Sequence, residues 1–343
     1  MLALAACRQE TTDDGPGTTD AEPTLTGETG RTVGRHSGHS WTTWPAHSAH
    51  TGDSSPEIPT GDTGSGVDCS VLPPAGSATF TRMSGWGTAE DFDFDLDGYH
   101  VAIDNRSLLL KNQAGQQQVA ATGFNSGTAG TRVLATGDML VCDFGVSGLT
   151  LVDQNTGGRT TVLSGLSYPN GLEVDRLNRA YVADNSRGTV HMVDVYTKDH
   201  WIVAEDLESP NGVVLSPDQQ TLYVGSFGGG VIYAIPRLAD TVWGRPRVLV
   251  RDGLNGGFDG INVDVCGNVY YTEFIAGNIW RVTPDGQHKD KMVRLPSLWI
   301  PNMRWGSGVG GWDPNVLYVA DRQGAGLFAM DVGFPGPRHV GLP

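Results

Sequence analysis

SPNGVVLSPDQQTLYVGS (residues 209–226) sets Pro-Asn-Gly directly ahead of an apolar stretch, a turn opened by Pro217 and a second apolar stretch. Nearly the same order occurs in YPNGLEVDRLNRAYVADN (residues 168–185). Self-similarity at a regular period marks a repeat architecture, and the end of the second apolar stretch is a convenient point from which to measure it. Runs of this kind end in an acidic or small polar anchor at Asp104, Asp143, Asp184, Ser226, Glu273 and Asp321, with spacings of 39, 41, 42, 47 and 48 residues. Units of that length, built from short β-rich runs, predict four-stranded blades. Six anchors predict an all-β, six-bladed β-propeller.

The fourth unit shows the internal order. NGVVLS reads as the inner strand, PDQQ as the turn, TLYVGS as the second strand, GGVIYAIPR as the third and RVLVRDGL as the outer one. ATFTRMSG (residues 78–85) resembles an outer strand without a blade of its own. It is expected to complete the last blade, because pairing the two ends of the chain removes the open edges of the ring.

Composition points the same way. The chain has 343 residues and 48 glycines, and little helix-period apolar patterning, which favours short strands and tight turns. Its net charge of −15 repels phosphate backbones and anionic headgroups, arguing against nucleic-acid and membrane-surface partners and suiting a divalent cation or a neutral ligand. No run reaches the ~18 apolar residues of a membrane span. The four cysteines, Cys7, Cys69, Cys142 and Cys266, form no C-x-x-C pair, which disfavours zinc ribbons and thioredoxin-like motifs. Cys142 reads as a small buried hydrophobe. Cys69 and Cys266 could pair if the N-terminal segment folds back.

The first 75 residues differ from the rest. LAAC (Leu4–Cys7) resembles a bacterial lipobox, with residues 1–7 as the remnant of a lipoprotein signal and Cys7 as the lipidated residue. A full signal peptide needs a longer apolar core and a basic start, so the true start is expected upstream. Residues 8–75 are rich in Thr, Ser, Gly and Pro and read as a disordered linker; its His36, His39, His47 and His50 read as solvated rather than as metal ligands. The propeller is expected over residues 76–343, exported to the bacterial cell envelope and tethered by lipid at the periplasmic or outer surface.

Counting back from the anchors finds Glu90, Asn170, Asn211 and Asp259, each 14 or 15 residues upstream. Blade two offers Ala129 or Gly130, and blade six Asn302 or nothing. In a propeller the inner strands line the channel, so equivalent positions form a ring about its axis. Four oxygen-bearing side chains there, two of them anionic, call for a cation. A hard divalent ion suits oxygen-only donors, calcium before magnesium, manganese or zinc. An isolated Asn-Gly is more commonly only a turn; Glu90 is not a turn residue, and the matched spacing favours the metal reading. The acidic anchors read as blade-turn structure. Leu298–Trp312, with Asn302, Trp305 and two further tryptophans, reads either as a substrate wall or as blade-six packing.

Glu, Asn, Asn and Asp over successive blades, with SPNGVVLSPDQQTLYV followed by FDGINVDVCGNVYYTEFIAGNIWRVTPDG, resemble the senescence marker protein, gluconolactonase and regucalcin family. That resemblance implies one divalent metal at the channel mouth held by Glu90, Asn211 and Asp259, with Asn170 as a further ligand or substrate contact. It also implies hydrolysis of a small-molecule lactone or related ester, with Asp259, or else Glu90, as proton acceptor. The alternative is a non-catalytic, surface-anchored propeller that binds a partner or glycan around a structural metal. A monomer is expected, touching the membrane only through its lipid. A WD-type scaffold is disfavoured, because the blades lack the Trp-Asp signature.

Overall fold

The computed structural model describes residues 66–125, 128–252 and 257–338. The lipobox cysteine Cys7, the four linker histidines and most of the expected tether lie outside the described residues. Twenty-four strands form six four-stranded antiparallel sheets. After β1 (Thr79–Ser84), blade one is β2 (Phe92–Phe94), β3 (His100–Asp104), β4 (Ser107–Lys111) and β5 (Gln117–Thr122). Blade two is β6 (Thr131–Val133), β7 (Met139–Asp143), β8 (Gly148–Val152) and β9 (Arg159–Leu163). Blade three is β10 (Pro169–Val174), β11 (Arg179–Asp184), β12 (Thr189–Asp194) and β13 (His200–Ala204). Blade four is β14 (Pro210–Leu215), β15 (Thr221–Ser226), β16 (Val231–Pro236) and β17 (Arg247–Arg251). Blade five is β18 (Phe258–Val263), β19 (Val269–Glu273), β20 (Asn278–Val282) and β21 (Lys289–Arg294). Blade six takes β22 (Met303–Trp305), β23 (Leu317–Asp321) and β24 (Gly326–Asp331).

β1 supplies the missing fourth strand of blade six. It runs antiparallel to β24 from Thr79 opposite Asp331 to Ser84 opposite Gly326, so ATFTRMSG closes the ring as its sequence suggests. Residues 66–75, placed in the linker by composition, lie against blade five instead. Cys69 is disulfide-bonded to Cys266, and Arg281 donates to the Pro73 carbonyl at 2.8 Å. Cys142 is fully buried.

The apolar core is divided among the blade interfaces. Leu140 and Leu149 of blade two pack with Leu172 and Val182 of blade three, and Tyr181 and Met192 of blade three with Val213 and Val224 of blade four. Phe92 and Phe94 meet Trp312 and Tyr318 of blade six, which seals the ring. The inner strands are buried along their whole length while the outer ones present their faces to solvent. The ends of the inner strands are therefore left as the places where chemistry can reach water.

Candidate functional site

The Pro-Asn-Gly segments are not turns. Pro169, Asn170 and Gly171 open β10, and Pro210, Asn211 and Gly212 open β14. Pro169 pairs with Asp184 and Leu172 with Val182, so Asn170 and Gly171 together oppose one residue of β11. The same break occurs at Asn211-Gly212 and at Asp259-Gly260. A bulge of this kind re-aims a side chain at the end of a strand. The glycines serve packing rather than backbone conformation: none of the three has positive φ, and a Cβ on Gly171 would collide with the Asn211 carbonyl oxygen, one on Gly212 with that of Asp259. Neighbouring inner strands approach too closely for a side chain at that position.

This contact relay fixes the ring. Gly130 abuts Asn170, Gly171 abuts Asn211, Gly212 abuts Asp259, and Gly260 abuts Pro301 and Asn302. Blade two therefore contributes Ala129 at the ligand position and Gly130 at the packing position. Blade six contributes Pro301, and Asn302 sits one residue further on, at the packing position. Its Oδ1 accepts the Met303 N–H at 2.8 Å, so the longer blade-six turn had displaced the sequence register by one.

Glu90, Asn211 and Asp259 come together at one mouth of the channel. Asp259 feels the charges of Glu90, Arg322 and Asp91, and the nearby Asn211 side chain favours its charged form. Burial, then the neighbouring Glu90 charge, lifts the Asp259 carboxyl well above the usual range. Burial also raises Glu90, opposed by its ion pair with Arg322. Asn170 is buried at the equivalent position of β10, its backbone oxygen taking the Gly130 N–H at 3.0 Å and the Cys142 thiol at 3.1 Å. Burial pushes the Cys142 thiol up, so it is a poor nucleophile. Among the described residues no three His, Cys, Asp or Glu side chains converge. Two carboxylates and two carboxamides remain as donors. Oxygen atoms only, with two acids raised by burial and by neighbouring carboxylates, fit a hard divalent cation.

Three residues further along the inner strands the channel is plugged. Arg132 pairs with Asp91 at 2.5 Å and lies 3.8 Å from Glu173, while Arg304 reaches Glu173 at 3.2 Å. Asp93 accepts the Val133 N–H at 2.9 Å and Asn262 donates to the Met303 carbonyl at 3.0 Å. Burial pushes Glu173 up to about 7 despite Arg132. A cavity of about 90 Å³ lies beyond this plug, lined by Glu173, Val214, Gln219, Asn262 and Arg304. The upper mouth is thus a cup with a polar floor.

The rim is set by the residue after each anchor. The N–H groups of Asn185, Phe227, Phe274 and Arg322 donate to the carbonyls of Tyr168, Ser209, Gly257 and Trp299, two positions before the ring residue of the same blade. Asn105, Phe144, Asn185, Phe227, Phe274 and Arg322 therefore form a second repeat position. Phe144 packs on Tyr168 at 4.9 Å and Phe227 on Phe274 at 5.9 Å between ring centroids. Sequence reasoning passed over this set, although it is readable one residue beyond the anchors. Of the two readings of Leu298–Trp312, packing holds for two of its tryptophans, including the wall candidate Trp305: Trp305 is buried against Tyr270 with its indole N–H on the Val263 carbonyl at 2.6 Å, and Trp312 is buried with its N–H on Gly98. Trp299 alone of the three is exposed. The anchors are structural, as in Asp184, whose carboxylate accepts the Ser167 and Tyr168 N–H groups at 2.7 and 2.9 Å.

Residues 99–320 match the model of the SMP-30/Gluconolactonase/LRE-like region. The chain belongs to that family. It is 32% identical over 141 residues to a 6-deoxy-6-sulfogluconolactonase of Pseudomonas putida, covering 40% of this chain and 45% of the relative. It is 26% identical over 218 residues to a gluconolactonase of Zymomonas mobilis, covering 53% and 58%. The chain thus spans about half the length of these curated relatives. Among solved structures, a gluconolactonase from Xanthomonas campestris superposes with a TM-score of 0.63 at 21% identity, over 77% of this chain and 91% of that one. A calcium-binding regucalcin from Agrobacterium tumefaciens gives 0.63 at 20% identity, over 76% and 96%. These family structures share the fold described above.

Proposed function

We propose that this SMP-30/gluconolactonase-family chain is a divalent-metal-dependent hydrolase that opens a sugar-type lactone in the cup. The observation carrying this reading is the pair Glu90 and Asp259, one partly buried and one buried acid that act on each other at the channel mouth, with Asn211 beside Asp259. The names of the two curated relatives support the substrate class. A divalent ion, calcium by preference, would be held by Glu90, Asn211 and Asp259 with Asn170 and would supply Lewis acidity toward the lactone carbonyl.

Asp259 would take the proton of the attacking water. A carboxylate raised by burial is a better base near neutral pH than an exposed one. The protonated carboxyl would then return the proton to the ring oxygen as the C–O bond breaks. Phe144, Phe227, Phe274 and Tyr168 would offer apolar faces to the sugar C–H groups. The ion-paired floor of Asp91, Arg132, Glu173 and Arg304 would close the cup from below.

The disulfide between Cys69 and Cys266 supports an oxidising compartment, in keeping with the envelope location expected from the Leu4–Cys7 motif. The test is lactone turnover with added calcium or manganese in the parent, Asp259→Ala and Asn211→Ala. Loss of turnover in both variants is expected. Equal rates in all three would overturn the reading.

A further inference from the structure

Arg322 stands where the function above does not need it. Among the six residues that follow the anchors, Asn105, Phe144, Asn185, Phe227, Phe274 and Arg322, it is the only charged one. Its backbone N–H is fixed to the Trp299 carbonyl at 3.0 Å, but its side chain is 34% exposed at the mouth and pairs with Glu90. It is also the cation that acts most strongly on Asp259. The neighbouring Arg132 is fully buried and committed to Asp91.

Charge arithmetic gives this position a second state. Glu90 and Asp259 against Arg322 leave one negative charge at the mouth. A divalent ion on the same two carboxylates converts that to one positive charge and repels the guanidinium from Glu90. A guanidinium is a permanent cation in proteins. Its long side chain, tethered only through its backbone, can turn toward the rim, where no other residue after an anchor could pair with an anion. A fork of N–H donors suits a carboxylate, sulfonate or phosphate group.

We propose that Arg322 is a resident cation which a divalent ion displaces from Glu90, and which then binds a fixed anionic substituent on the substrate, making the preferred substrate an anionic sugar lactone. This rests on the lactonase reading of the same site. On a chain of net charge −15 such a substrate needs a local cation.

The test has two arms on the full chain. Calorimetric titration with calcium compares the parent with Arg322→Gln and Arg322→Lys. Removing the competitor should tighten calcium binding about tenfold in the Gln variant and little in the Lys variant; equal or weaker binding in the Gln variant overturns the exchange. In the second arm, kcat/KM is measured for glucono-1,5-lactone and for a gluconolactone carrying a 6-carboxylate, 6-sulfonate or 6-phosphate. The parent should favour the anionic lactones, and Arg322→Gln should lower that preference about tenfold, mainly through KM, with partial retention in Arg322→Lys. An unchanged preference overturns the assignment. If the parent opens no lactone, the hydrolase reading fails separately, and calorimetric binding of glucarate to the calcium-loaded proteins decides: weaker binding to Arg322→Gln sustains the anion site, and equal binding removes it.

Discussion

Glu90 at the channel mouth meets one side-chain cation, Arg322, whereas Asp91, the next residue, accepts the Phe92 and Thr131 N–H groups at 2.8 and 3.1 Å as well as the Arg132 guanidinium. The contrast extends around the channel. In the lower layer, bonds run from one blade to the next through Arg132 and Glu173 and through backbone partners of Asp93 and Asn262, and across the channel from blade six to blade three through Arg304 and Glu173. In the upper layer neither Glu90 nor Asp259 receives a backbone N–H among the described residues. Two adjacent rings of buried charge thus differ in how they are satisfied. The lower one is cross-linked by ion pairs and backbone bonds, although Arg132 Nε and Arg304 Nε and Nη2 are left without hydrogen-bond partners among the described residues, whereas the upper one holds its two acids beside a single side-chain cation.

The sharpest way to break this comparison is to neutralise one acid or base in each layer. Asp259→Asn should cut lactone turnover about 10²- to 10⁴-fold, the usual contribution of a positioned base, while raising the Tm of the metal-free protein by removing an uncompensated buried charge. Arg132→Met should do the opposite to stability, stranding Asp91 and leaving Glu173 with Arg304 alone, at a cost of about 3–5 kcal/mol. Thermal melts of the two variants check the contrast; a drop for both would mean that the upper carboxylates are as well satisfied as the lower. Next in size is Gly171→Ala, whose Cβ meets the Asn211 carbonyl. A loss of about 1–3 kcal/mol is expected from overpacking, together with weaker calcium binding, because Asn211 lies on the strand that must yield.

pH separates the layers further. Asp259 and Glu90 have folded pKa values raised above those of the unfolded chain, so their contribution to stability is full below about pH 4 and is lost as pH rises. Saturating calcium should offset that loss, so the gain in Tm on adding it should grow with pH. His100 and His191 run the other way. Burial pushes them down to about 3 and about 4, so their contribution is full above about pH 6.5 and is lost as pH falls toward those values. Melting curves between pH 4.5 and 8, with and without calcium, read both trends. A calcium effect independent of pH would place the ion away from these carboxylates. The smallest effect concerns the two tryptophans of one segment: Trp299→Ala should raise KM a few-fold with stability unchanged, and Trp305→Ala should cost about 3–5 kcal/mol.

The repeat made much of this legible. Six anchors located six blades, the orphan strand at residues 78–85 located the closure, and a constant offset picked out Glu90, Asn211 and Asp259 from far apart in the chain. The failures share a physical cause. Turn preference is a local property, whereas Gly171 and Gly212 are demanded by strands of the next blade. Asn302 was displaced by a longer turn that period counting cannot see. Trp305 and Trp312 could not be told from Trp299 because composition does not say which face of a segment meets the core. Arg322 pairs with a residue at the opposite end of the chain, and nothing near it in sequence announces Glu90.

The seam between β1 and β24 joins the first strand of the propeller to the last. A ribosome must therefore release nearly the whole chain before blade six can exist, and until then five finished sheets stand beside a sixth with raw edges. Nascent or truncated forms lacking Gly326–Asp331 would offer those edges to one another. Such chains should gather into aggregates rather than persist as five-bladed rings.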